Sequence, residues 1–390
     1  MNLLMIVGHA DDIFVVNFAK WIKREIDVEV DIIALNESTS KQEDVCGLFN
    51  KVDILPQHFL FDNIPFVRRY TCAWCKCRNL DKLIKGRHYD IIHCHYIAGL
   101  YAGANFLKKH CDKLYFTFWG GEYDNCQYLG SNYLYKIKLR KIINTYVDGI
   151  VNVSVRTGSR WKDGDKMPKY YHGSFGSSSL ECLYDLMDTS SKGDSKAYYE
   201  IPLDKTAVQI CYSGKSIHQQ IEIIDEIIKH EELKNRIHLV APMTRGANKD
   251  FTDKVEEALK KSGFTYTLLR DRFLSDEEMA KLRFSVDVVL QLSTYDGYSR
   301  SVVECLCAGS VVIYGNWLNY QIKFKNDGFE GVEADSIPEA VDKLYDHIVN
   351  PYQYDKMISN NINRGKGKYL WSECIKDWIS VYKGTANTIG

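Results

Sequence analysis

Short apolar runs alternate with amphipathic stretches along most of the chain. Residues 3–7 form the first run, and behind it Phe14, Phe18 and Trp21 recur at helical spacing after a capping Asp12. Residues 28–35, 89–95, 113–118 and 149–155 repeat the strand pattern, and 52–55 and 58–61 are shorter candidates. Helices are predicted at 98–108 and 133–146, with another ending over 80–84. Apolar runs of this length bounded by turn residues read as strands buried on both faces, and their alternation with helices predicts a parallel sheet covered on both sides.

The texture changes at 174–196, where serine, glycine and aspartate accumulate in the composition of a linker. Alternation then restarts. Strands are predicted at 207–212, 237–241, 266–269, 286–292 and 311–314. Helices are predicted at 217–230, with Ile221, Ile224, Ile227 and Ile228 on one face, and at 251–262 and 337–348. Ser275 and Glu278 form a capping box for a helix through Phe284. An amphipathic helix over 371–382 turns Trp371, Ile375, Trp378 and Ile379 inward. The pattern predicts an α/β protein of two Rossmann-like domains, 1–185 and 197–365, facing a cleft.

Composition narrows the function classes. The chain has 390 residues, 45% hydrophobic and 26% charged, with a net charge of −1, so it is not a general nucleic-acid binder. The basic residues are uneven: Arg68, Arg69, Lys76, Arg78, Lys82, Lys85 and Arg87 crowd 66–88 against Asp81 alone. With Phe66, Tyr70 and Trp74 interleaved, this stretch is a candidate for an anionic membrane surface. The apolar start is too short for a signal peptide, and no apolar run reaches the length of a membrane-spanning helix. The 12 cysteines then read as free thiols in a reducing cytosol, many of them buried. Cys72, Cys75 and Cys77 lack a second ligand pair at zinc-ribbon spacing.

The chemistry concentrates at 293–304. Asp296 and Glu304 bracket a loop that contains Gly297, Tyr298, Ser299 and Arg300. The loop follows a buried strand and opens a short helix at Ser301 and Val302. At the carboxyl end of a strand such a loop faces ligand, Gly297 admits close backbone approach, and a helix start favours phosphate.

With seven residues between its acids, this loop resembles the acidic-x7-acidic motif of retaining glycosyltransferases of family 4, which have the GT-B fold. The segments 89–95, 116–122, 200–214 and 273–290 are similar to that family in order along nearly the whole chain. The resemblance implies a nucleotide-diphosphate-sugar donor held by the second domain, with Asp296 on sugar hydroxyls and Glu304 on ribose. The Ser301 and Val302 amides would hold the diphosphate. It implies no metal and no other cofactor, a glycan or lipid-linked acceptor, and a last helix that packs back on the first domain. With no signal peptide and the basic stretch at 66–88, the expected setting is the cytoplasm, peripheral to the inner face of the plasma membrane.

Two departures stand out. Lys215, after Gly214, fits the first of the family's two phosphate-binding bases, but the second falls on Gln220. Arg245, Arg270, Arg272 and Arg300 are candidates to replace it. The acceptor-side loop carries Trp119 and Gly120 where His-Gly is common, which moves attention to Glu122. His9 and His95 complete the acceptor-side candidates. His93 and His95 are read as facing opposite sides of their strand, with His95 toward the cleft. A nucleotide-sugar 2-epimerase of the same fold and a non-catalytic carbohydrate-binding subunit are the alternatives.

Overall fold

A computed structural model describes residues 1–36, 47–55, 78–95, 103–118, 144–152, 169–244, 248–366 and 368–388. The expected strand 58–61, residues 98–102 and 133–143 of two expected helices, and the cysteines at 72–77 lie outside them; Ala104–Leu107 is helical. Contacts divide the chain into residues 1–176 with 371–390, and residues 177–370.

The first unit is built on a wholly parallel sheet, ordered β3-β2-β1-β4-β5-β6-β7. Its strands are β1 (Asn2–Val7), β2 (Glu29–Ala34), β3 (Lys51–Ile54), β4 (Tyr89–Cys94), β5 (Cys111–Phe118), β6 (Gly149–Asn152) and β7 (Lys169–His172). Leu3, Met5 and Val7 enter the core on one face, and Leu4 and Ile6 the core on the other. A strand buried on both faces reads as a near-continuous apolar run. Helix α1 (Ile13–Glu25) covers the first face, and Asp12 accepts its Phe14 N–H at 2.9 Å. The last helix, Trp371–Lys383, packs beside it, with the Phe18 ring edge-on to Trp378 at 5.2 Å. Trp371 and Trp378 are fully buried.

The second unit has six parallel strands in the order β10-β9-β8-β11-β12-β13. They are β8 (Thr206–Gln209), β9 (Ile237–Pro242), β10 (Thr265–Leu269), β11 (Val288–Gln291), β12 (Val311–Gly315) and β13 (Val332–Ala334). Its helices are α2 (Ser178–Thr189), α3 (Lys192–Tyr198), α4 (Gln220–Ile227), α5 (Lys249–Ser262), α6 (Asp276–Ser285), α7 (Arg300–Cys307), α8 (Tyr320–Asp327), α9 (Ile337–Val349) and α10 (Asp355–Gly365). Two apolar cores flank the sheet.

The serine-rich segment is no linker. Leu180, Leu183 and Tyr184 are buried at helical spacing in α2, and Ser191 with Asp194 makes a capping box for α3. Serine, glycine and aspartate favour loops and helix caps alike, so composition alone missed both helices. In α4, Ile223, Ile224 and Ile227 face the core, while Ile228 is 40% exposed. The helix begins three residues later than its pattern predicts, after a tight turn at 216–218.

In each sheet the chain adds strands on one side and then reverses. The switch falls between β1 and β4 in the first unit and between β8 and β11 in the second. Open parallel sheets take ligands outside the carboxyl ends of the strands at such a point. Among the described residues no helix is long and apolar enough to cross a membrane.

Candidate functional site

The switch point of the second sheet joins two loops. After β8 the chain passes the buried Gly214 to the exposed Lys215, and after β11 it runs through 292–299. The Thr294 amide donates to the Ile217 carbonyl at 2.8 Å, and the Gln219 side chain donates to the Leu292 carbonyl, so the loops are stitched together. Gln220 is fully buried and donates to the carbonyls of Ser213 at 3.0 Å and Lys215 at 3.2 Å. It shapes the turn that presents Lys215 and is not placed to meet a phosphate.

Asp296 sits at the mouth of β11. Its Oδ2 accepts from Gln291 Nε2 at 2.8 Å, from the Ser299 amide at 3.4 Å and from the Tyr320 hydroxyl. Lys323 Nζ donates to its main-chain carbonyl at 3.4 Å. Burial and then the Asp296 charge push the Tyr320 and Tyr212 hydroxyls well above the ordinary phenol range. His218 is buried, its Nε2 2.8 Å from Ser213 Oγ. Burial pulls its pKa down to about 4 against the opposing pull of Asp296, so the ring is neutral. Gln291, the polar residue ending an apolar strand, was a visible signal. Tyr320, Lys323 and His218 reach the site from elements whose proximity only the fold creates.

The loop's strained residue is Tyr298, at φ 83°, and not Gly297. A left-handed non-glycine residue costs about 1–3 kcal/mol unless its surroundings hold it. Tyr298 is held by its ring, which packs edge-on against Tyr320 at 5.5 Å and Phe324 at 5.8 Å. A Cβ placed on Gly297 meets nothing within 4 Å, so the space beside it is open.

Helix α7 starts with no acid in its first turn, which favours an anion there. Its donors are already engaged: Ser301 N–H gives to Ser299 Oγ at 3.2 Å, and Val302 N–H gives to the Ser299 carbonyl at 3.1 Å. Glu304 is 7% exposed. Its Oε1 accepts from Ser177 at 2.7 Å and Ser179 at 3.0 Å, and its Oε2 from Arg283 Nε at 3.2 Å. Arg283 is itself 2% exposed and also donates to Gln209 Oε1 at 3.2 Å. Nothing local marks the Arg283–Glu304 pair, because its partners lie on separate helices.

The candidate arginines divide. Arg300 lies over the Tyr369 ring at 4.0 Å. Arg270 is locked by Asp253, Glu256 and Asp271, each at 2.7–2.8 Å. Arg272 pairs with Glu278 at 3.3 Å, after the edge strand β10. Arg245 lies outside the described residues, as do Trp119, Gly120, Glu122 and most of 66–88.

In the first unit, His9 lies in the loop after β1, and the His95 amide donates to the Ile6 carbonyl at 2.9 Å. Both therefore belong to that sheet's switch point, but the His95 side chain turns inward. Residues two apart on a strand share a face, so His93 and His95 are not opposed; their rings stack at 4.0 Å. His95 is 1% exposed among Phe18, Phe175 and Trp378. Burial holds its pKa down to about 3. His93 bonds Tyr382 Oη at 2.6 Å and Thr117 Oγ1 at 2.8 Å, as a satisfied core histidine. No group of three or more His, Cys, Asp or Glu side chains among the described residues is arranged to hold a metal ion.

Residues 4–148 match the family described as glycosyl transferase 4-like. Over 384 residues the chain is 22% identical to an uncharacterized glycosyltransferase of Methanocaldococcus jannaschii, covering 93% of this chain and 91% of that one. Its fold is similar to a glycosyltransferase from Rickettsia africae, with a TM-score of 0.69, 14% identity and 98% of each chain covered. It is also similar to Anabaena HepE in complex with UDP-glucose, with a TM-score of 0.64, 11% identity, and 98% and 100% of the two chains covered.

Proposed function

Since the chain is a glycosyltransferase of the GT-B type, with a glycosyl transferase 4-like region at residues 4–148, we propose that its second unit binds a nucleotide-diphosphate sugar and transfers the sugar with retention of configuration. The observation that carries this reading is the meeting of two loops at one switch point: the turn presenting Lys215, and the loop bearing Asp296 at the start of α7. The HepE complex with UDP-glucose supports a donor of this class.

In this reading Asp296 accepts the donor sugar's hydroxyls. It exchanges its hydrogen bonds from Gln291 and Tyr320 for sugar hydroxyls, or adds the sugar on its second oxygen. Lys215 meets the diphosphate. A phosphate at the start of α7 replaces Ser299 Oγ as the acceptor of the Ser301 amide. Arg300 and Lys323 supply the second positive charge, in the place that Gln220 does not fill. In this reading Glu304 takes its ribose role through Oε2, which accepts from Arg283 Nε and has a second lone pair for one hydroxyl. Gly297 leaves space against which the sugar lies.

The chemistry needs no protein nucleophile. The acceptor oxygen bonds to the anomeric carbon on the face from which the diphosphate departs. The carbon–oxygen bond to the diphosphate breaks, and the acceptor proton passes to the leaving phosphate oxygen. Lys215 and the helix start stabilise the charge that develops there, so no metal is required. The acceptor is a glycan or lipid-linked saccharide hydroxyl, in surface polysaccharide or glycoconjugate synthesis at the inner face of a membrane. That part rests on the family resemblance and on the basic stretch 66–88.

The test is turnover of UDP-, GDP- and dTDP-sugars with saccharide acceptors, with the product anomer read by NMR. Transfer with retention, unchanged by EDTA, is expected. An inverted product overturns the mechanism. Epimerised sugar nucleotide formed without acceptor makes the protein an epimerase.

A further inference from the structure

The second unit has a cavity of about 350 Å³ at the amino edge of its sheet, opposite the edge that carries Asp296. Lys192, Lys196, Lys205, Asp204, Asp287 and His347 are among its walls. Asp287 lies just before β11, and Thr206, which also lines the cavity, opens β8.

Part of this cluster is structural. Asp287 accepts Lys192 Nζ at 3.0 Å, Lys196 Nζ at 2.7 Å and the Ala207 amide at 2.8 Å. Lys192 gives a second N–H to the Val286 carbonyl at 3.2 Å, and Lys196 gives one to the Lys205 carbonyl at 2.9 Å. An ammonium has three donors, so each keeps one. Lys205 spends one, on Thr265 Oγ1 at 3.1 Å, and keeps two. His347 is 8% exposed, and its Nδ1 is buried with no hydrogen-bond partner among the described residues. Neutralising Asp287 explains two ammonium groups. It does not explain the open volume, the third lysine or the orphaned imidazole nitrogen. Three ammonium groups against two carboxylates leave the walls positive.

We propose that this cavity binds a small phosphate-bearing anion, inorganic phosphate or a sugar phosphate, at a second site distinct from the donor site. The phosphate oxygens accept the unused N–H groups of Lys192, Lys196 and Lys205 and the Nδ1–H of His347, and hydroxyls of a sugar phosphate reach Asp204. Burial pulls the His347 pKa down; a bound anion pulls the other way.

The experiment is calorimetric titration of the full chain with inorganic phosphate and with a hexose 6-phosphate, at constant ionic strength. Lys192 and Lys196 hold the buried Asp287, so the informative variants are Lys205→Ala and His347→Phe, the latter keeping a ring in place. Each is expected to weaken binding about tenfold to a hundredfold, the scale of one charge-assisted hydrogen bond, while Lys215→Ala at the donor site changes it less than about twofold. Tighter binding of the hexose 6-phosphate assigns the site to sugar phosphates; equal or weaker binding assigns it to inorganic phosphate. Absence of binding by both probes overturns the proposal. So does weakening by Lys215→Ala with none from Lys205→Ala.

Discussion

The two sheets share a topology and a switch point, yet they fill it differently. In the first unit His93 and His95 come to the carboxyl edge of β4 and stack inside an aromatic core closed by Trp378 and Phe18. In the second, the carboxyl edge of β11 carries a carboxylate held by amide and phenol donors, and the loop after β8 exposes a lysine. Strand order marks where a ligand belongs; the direction in which side chains turn decides which polar groups can meet it. Histidines that lose their charge on burial, in a face covered by a helix from the chain's far end, serve packing. An acid at the surface end of a strand, beside a helix start without acids, is placed where a ligand can meet it.

The largest effect tests the buried pair behind the second unit's switch point. Arg283→Ala leaves Glu304 unpaired in the core, and unfolding in urea is expected to show a loss of about 3–5 kcal/mol. Adding Glu304→Gln to that variant recovers part of the loss. If Arg283→Ala alone is as stable as the parent, the pair does not hold α6 to α7.

Next comes Asp296→Ala. Turnover is expected to fall at least about a hundredfold, with a stability loss of about 1–3 kcal/mol because the buried Gln291 and Tyr320 donors lose a shared acceptor. Equal rates in variant and parent remove Asp296 from the site.

His95→Phe separates the two switch points by pH. The His95 pKa is about 3 in the fold against an ordinary 6.5, so the unfolded chain binds the proton first as pH falls. The stability linked to the neutral ring is full above pH 6.5 and declines progressively from 6.5 toward 3, by up to about 1.4 kcal/mol per pH unit. His95→Phe should flatten this part of the melting-temperature profile and leave turnover at neutral pH near the parent value. A steep loss of turnover at pH 7 would give His95 a direct part in the reaction.

The smallest change is Ser299→Ala. It removes the cap of α7 at a cost of about 1 kcal/mol in melting experiments. It also frees the Ser301 amide, so donor affinity should hold or rise slightly. A marked loss of affinity would make the Ser299 hydroxyl itself a donor ligand.

Much of the fold was legible because buried parallel strands are written as unbroken apolar runs. Residues 3–7 and 288–290 could be read that way without tertiary information. The segment 174–196 was not, since serine and aspartate signal helix caps and loops with the same chemistry. At the site, Asp296, Lys215 and the start of α7 stood out locally as polar groups after apolar strands. The engagement of Glu304 by Ser177, Ser179 and Arg283 is tertiary, and spacing along the chain carries no trace of it. Nor does the sequence mark the left-handed backbone at Tyr298, which aromatic packing holds in place.

The central claim is that the β8–β11 switch point binds a nucleotide-diphosphate sugar. Calorimetric titration of the parent chain with UDP-, GDP- and dTDP-glucose tests it most directly, with Lys215→Ala and Asp296→Ala alongside. The expected result is one-to-one binding of at least one donor, weakened about tenfold in each variant. Binding of none of the three, or binding that both variants leave untouched, contradicts it.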